Sequence, residues 1–144
     1  MAELADLIDV ARLRTALLRL SRRLRRHEVA DLTPTQLSAL ATVARDGPLR
    51  LGDLAAAERI APSTLTRLVA ALEERGYVER GVVPGDARAC LLSVTELGSV
   101  MLDRIRQETT SMLAENLLTL PAGQLAALAA ALPALEHLAD AGRG

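Results

Sequence analysis

Apolar residues recur at three- and four-residue steps along most of the chain. Val10, Leu13, Leu17, Leu20 and Leu24 make one stripe, which predicts a helix over residues 4–27. Arg12, Arg19, Arg22, Arg23 and Arg26 crowd its other side. Such a face is usually solvated; it also suits acidic groups on a partner, or phosphates. Thr33 is placed to cap the next helix, with Pro34 in its first turn and Gln36 completing a capping box. Leu37, Leu40 and Ala44 mark the buried side of that helix, and Gly47-Pro48 ends it. The stretch "LRLGDLAAAERI" reads as a short extended piece and then a short helix with Leu54 and Ala55 inward. A second, longer helix starts at Pro62, buries Leu65, Leu68, Val69 and Leu72, and stops at Gly76.

The period then changes from helical to alternating. Residues 77–83 and 89–94 predict two strands joined by a turn at Pro84-Gly85. Thr95 is placed to cap a long helix over about 96–118, with Leu97, Met101, Ile105 and Met112 inward. A last helix starts at Pro121 and carries Leu125, Leu128, Leu132, Leu135 and Leu138. Pro133 inside it predicts a kink or a break, because proline removes one backbone donor. There is no internal repeat and no low-complexity linker.

Composition narrows the picture. The chain has 144 residues, enough for one domain that buries a core without disulfides or metals. It has no Phe, no Trp and one Tyr, Tyr77, so Leu, Ala, Val, Met and three Ile must build that core. Leu and Ala favour helices, and the expected fold class is mainly α with a small β-hairpin. The net charge of −1 hides an uneven distribution. Residues 1–44 hold seven Arg against five acids, residues 45–88 seven against seven, and residues 89–144 three against six. A nucleic-acid surface would therefore lie before residue 89, not after it. The single Cys90 rules out an internal disulfide framework. The start, "MAELADLIDV", is acidic where a signal peptide needs positive charge, and no apolar run approaches membrane-spanning length. A cytoplasmic protein with no membrane partner is expected.

The strongest candidate for chemistry is the pair of helices joined by a tight turn. The second begins Pro62-Ser63-Thr64 and continues Thr66-Arg67. Short hydroxyls and one Arg opposite the buried Leu65 and Leu68 suit a helix that reads the major groove, where Arg can grip a guanine edge with two hydrogen bonds. Ser63 and Thr64 could equally be ordinary helix-start residues. The hairpin tips the balance. Arg88 near its tip could enter the narrow minor groove, whose negative potential attracts arginine. Asp86, two residues earlier, could hold the guanidinium through paired hydrogen bonds. In an isolated hairpin this would be a surface ion pair of little worth.

These segments resemble the MarR (multiple antibiotic resistance regulator) family of winged-helix transcription regulators. "DARACLLSVTELG" matches the family's Asp-x-Arg, apolar strand and Thr-x-x-Gly. "LTPTQLSAL", "LGDLA" and "PSTLTRLVAALEERGYVER" match in order and spacing. The resemblance implies one domain over residues 1–144, with residues 1–31 and 96–144 as dimerisation helices and residues 32–95 as the winged helix-turn-helix. It places Ser63, Thr64, Thr66 and Arg67 at the major groove and Arg88 in the minor groove, with Asp86 positioning it. It implies a homodimer on double-stranded DNA with an inverted-repeat operator, usually as a repressor. It further implies release from DNA when a small molecule binds between the dimer body and the winged helix. A winged-helix protein-interaction module without DNA binding, or an activator, are the alternatives. Long apolar stripes at both ends of the chain agree with a dimer, since a monomer would expose them.

Two departures from the family pattern stand out. Ala61 and Leu51 occupy places where a capping residue is common. The near absence of aromatics leaves little for ring stacking, so aromatic effectors are possible but not supported, and Tyr77 reads as core rather than ligand contact. Cys90 on the second strand reads as a small apolar residue rather than a redox sensor. His27 and His137 have no close ligand partners in sequence, so no metal is expected. No nucleophile is paired with a base and no glycine-rich phosphate loop is present, so neither an enzyme nor a cofactor is expected.

Overall fold

The computed structural model describes residues 2–25 and 32–141, without the side chains of residues 2, 87 and 88. Its first part is two helices rather than one. α1 (Ala2–Leu7) ends, and α2 (Val10–Arg25) restarts after Asp9. Asp9 is the cause: its Oδ1 accepts the Arg12 backbone N–H at 2.9 Å, which is how an N-cap opens a new helix. The single helix expected over 4–27 is corrected accordingly, and positions 26 and 27 lie outside the described residues.

α3 (Pro34–Asp46) begins as the sequence predicts. The Gln36 N–H donates to the Thr33 hydroxyl at 3.1 Å, and the Thr33 N–H donates to Gln36 Oε1 at 3.0 Å. β1 (Leu49–Arg50) leads directly into α4 (Leu51–Glu58), whose N-cap is Arg50, with no side-chain hydrogen bond. A tight turn connects it to α5 (Pro62–Glu74), capped by Ala61, again without a side-chain bond. α5 ends in a Schellman arrangement. The Tyr77 N–H donates to the Leu72 carbonyl at 3.0 Å, the Gly76 N–H to Glu73 at 2.9 Å, and Gly76 takes φ 76°.

β2 (Val78–Val83) and β3 (Asp86–Val94) form the hairpin around Pro84-Gly85, with Gly85 at φ 85°. β3 starts three residues earlier than the alternation suggests, and the register shifts between Val82 and Val83. β1 pairs antiparallel with the other edge of β3, Leu49 facing Leu92, so the strand order is β1-β3-β2. α6 (Glu96–Leu117) and α7 (Ala122–Asp140) complete the chain. α7 runs as one helix through Pro133, so the proline does not break it.

The core lies among α3, α4, α5 and the sheet. Leu40, Val43, Leu54, Leu65, Val69, Leu72 and Leu92 are fully buried, and Tyr77 is buried beside them. The aliphatic core expected from composition is what is found, and each of the four apolar positions expected inward on α5 is buried. α6 departs from the expectation at its start: Leu97 is 53% exposed and Gly98 and Leu102 are buried, while Ile105 is buried as expected and Met101 packs half-buried against the core. The reason is Gly98. A Cβ built there would stand 2.2 Å from the Tyr77 carbonyl oxygen, so the backbone of α6 lies against the start of β2 at this glycine. Thr95 fixes the same junction: its hydroxyl donates to the Gly76 carbonyl at 2.5 Å and accepts the Gly98 N–H at 3.0 Å. The chain divides into two compact units, residues 1–109 and 110–144.

Candidate nucleic-acid interface

α5 has one buried and one exposed face, and the division follows the sequence. Leu65, Leu68, Val69 and Leu72 lock the helix onto α3, α4 and the hairpin. Ser63, Thr64, Thr66 and Arg67 are all exposed. Among the described residues no ion pair takes up Arg67, which leaves its guanidinium in water. The Thr66 hydroxyl donates to the Pro62 carbonyl at 2.9 Å, a back-bond within the helix. With that proton engaged, Thr66 offers an outside group a methyl and its oxygen lone pairs, while Ser63 and Thr64 lie in the first turn, where backbone N–H groups lack intrahelical partners.

The hairpin follows α5 directly. Asp86 is exposed at its tip, and the backbone of Arg88 lies on β3. The Arg88 side chain, and with it the expected Asp86–Arg88 pairing, lies outside what is described. Arg80 on β2 is engaged: its Nε donates to Glu73 Oε1 at 2.9 Å, tying the hairpin to α5. Half-exposed on both sides, that pair adds little stability but fixes how the two elements meet. Val82, farther out on β2, is 78% exposed. Cys90 is half-buried opposite it.

A second feature belongs to the same unit. A cleft of about 490 Å³ opens among Arg25, Leu37, Ser38, Glu58, Ile60 and Ile105, within the size range of small-molecule sites. At its wall the half-buried Glu58 accepts two hydroxyl hydrogen bonds, from Ser38 at 2.7 Å and from the buried Thr42 at 2.5 Å. Sequence reasoning missed this site. The available signal was a lone carboxylate ending the apolar run "LAAAE", with Ser38 and Thr42 one helical turn apart on α3. Of the two histidines, His137 lies on α7 and His27 lies outside the described residues. No helix among the described residues is long and apolar enough to cross a membrane.

Comparison with known proteins accounts for this arrangement. The family model described as "MarR family" matches residues 32–90. An uncharacterised HTH-type transcriptional regulator of Mycobacterium bovis is 38% identical over 126 residues, 87% of this chain and 88% of that protein. A transcriptional regulator of Pseudomonas aeruginosa, solved by crystallography, superposes with a TM-score of 0.77 at 35% identity, over 90% of this chain and 91% of the other. FabT of Streptococcus pneumoniae, solved in complex with DNA, shares the fold with a TM-score of 0.64 at 16% identity, over 92% and 98% of the two chains.

Proposed function

The chain belongs to the MarR family of transcriptional regulators, and we propose that it represses transcription by binding an inverted-repeat operator as a homodimer. The observation that carries this reading is the exposed row Ser63, Thr64, Thr66 and Arg67 over the buried face of α5. That row is set directly before a hairpin bearing Asp86 and Arg88. In this reading α5 enters the major groove, Arg67 reads a base edge, and Arg88, steadied by Asp86, enters the minor groove. Residues 32–95 form the DNA-binding part, and residues 1–31 and 96–144 supply the dimer body. The DNA complex of FabT supports the reading through a shared fold. The uncovered apolar side chains of α2 and α7 support the dimer. The cleft at Glu58 is the site where a small effector would bind and release the protein from DNA.

The test is fluorescence anisotropy with DNA from just upstream of the gene, at several salt concentrations, with unrelated DNA as competitor. Selective binding with two subunits per site and a steep salt slope is expected. The Arg88→Ala variant should weaken operator binding markedly. Parent-level affinity and salt dependence in that variant would overturn the minor-groove role. Failure to prefer any fragment in a genome-wide selection would instead favour a protein-interaction module.

A further inference from the structure

We infer that the cleft at Glu58 selects a compact aliphatic ligand carrying one protonated amine, with the amine against the Glu58 carboxylate; this rests on reading the cleft as the effector site. Both Glu58 oxygens already accept a hydroxyl hydrogen bond, which holds the group rigidly on α3. A carboxylate has about four acceptor positions, so two remain for a ligand. The hydroxyls satisfy hydrogen bonding but carry no charge. Among the described residues no ion pair involves Glu58, although it is half-buried; Arg45 feels its charge at longer range but is itself paired with Asp46.

Position sharpens the imbalance. Glu58 is the last residue of α4, where the helix end already carries partial negative charge. A cation is favoured at that end of the helix. Leu32, Leu37, Ala41, Ile60 and Ile105 make most of the remaining lining apolar. Among the described residues no aromatic ring lines the cleft, so there a cation would be held by the carboxylate rather than by a ring face. Arg25 also borders the cleft, but it is exposed and its charge is screened by water, whereas Glu58 is partly withdrawn from it. Among the described residues the cleft's charge preference is therefore set at the Glu58 end. Occupancy also has a short route to the DNA-facing helix: Glu58 is followed by the turn Arg59-Ile60-Ala61 and then by α5. An ammonium drawn to Glu58 would load the joint between α3 and the start of α5.

The competing account is that Glu58 only struts α3 to α4. Two probes with one apolar body separate the two accounts: 1-adamantylammonium and adamantane-1-carboxylate, titrated by calorimetry into the full-length, DNA-free protein. The ammonium is expected to bind at least about tenfold more tightly than the carboxylate, the effect of one charged hydrogen bond. In Glu58→Gln, which keeps an acceptor for a hydroxyl but loses the charge, the ammonium should lose about tenfold while Tm moves little. Ser38→Ala, which keeps the charge, should retain the preference. Equal binding of both probes, no binding of either, or parent-like ammonium binding in Glu58→Gln overturns the inference. The probe comparison on the parent protein decides even if Glu58→Gln does not fold. Adding each probe to the DNA complex tests the underlying reading separately. Ammonium binding without DNA release supports the ligand class and overturns the effector role. Release by the carboxylate alone does the reverse.

Discussion

Arg59 sits in left-handed backbone, φ 55° and ψ 44°, at the end of α4. The Ile60 N–H reaches the Ala55 carbonyl at 3.2 Å and the Arg59 N–H reaches Ala56 at 3.3 Å, the same closing pattern that Gly76 serves on α5. One helix thus closes with glycine and the other with a residue that pays for its Cβ, by about 1 kcal/mol. Arg59→Gly should raise the unfolding free energy by about 0.5–1 kcal/mol in urea melts, the relief being partly offset by the entropy glycine adds to the unfolded chain. No gain would mean that the Arg side chain makes a compensating contact. Gly98 is the opposite case. Its constraint is space, with the Tyr77 carbonyl oxygen 2.2 Å from an added Cβ. Gly98→Ala must push α6 away from β2, and a loss of about 1–3 kcal/mol is expected by the same measurement. A loss below about 0.5 kcal/mol would show that the junction yields freely.

At the scale of elements, α5, the proposed recognition helix, starts without a side-chain cap, as α4 and α7 do. Ala61 at its N-cap has extended backbone, φ −65° and ψ 143°, and gives no side-chain hydrogen bond. Ala61→Ser supplies an acceptor for the free N–H groups of the first turn and should add about 1 kcal/mol of stability. Thermal denaturation checks it, with an unchanged Tm counting against the assignment of the cap. The elements were legible in the sequence wherever local chemistry decides them. Thr33, Pro34 and Gln36 announce α3, and the spacing of Leu65, Leu68, Val69 and Leu72 sets the buried face of α5. Nonlocal contacts hid the rest. The inward Met101 and Ile105 of α6 could be read, but not that Leu97 turns outward, which follows from the approach of Gly98 to Tyr77. β1 is two residues that become a strand by pairing with β3. The break at Asp9 is hidden because one acid within an apolar stripe looks like surface. The exposed row on α5 could be read directly, whereas the Glu58 site brings together residues 38, 42 and 58 and has no contiguous signature.

For the whole molecule, the decisive fact is where apolar surface remains uncovered. Leu125, Leu128, Leu132 and Leu138 on α7 are 40%, 42%, 54% and 61% exposed, and Leu17, Leu18 and Leu20 on α2 are likewise open to water. Single exposed leucines are ordinary, but stripes of them along whole helices are what the proposed homodimer would cover. The winged-helix core, by contrast, is closed and aliphatic within residues 1–109. The two parts should respond differently to one charge. Leu132→Arg introduces a charge into the α7 stripe without touching the buried core. Under a dimer it must either lie unpaired in an apolar interface or force the subunits apart, a penalty of several kcal/mol. The expected outcome is a shift from dimer to monomer in sedimentation, with helical circular dichroism retained. Operator affinity should fall with it, because a two-fold pair of recognition helices about 34 Å apart is what engages both half-sites. A variant that stays dimeric and binds the operator as the parent does would remove the α7 stripe from the interface. A variant that becomes monomeric yet binds with full affinity would show that one subunit suffices on DNA.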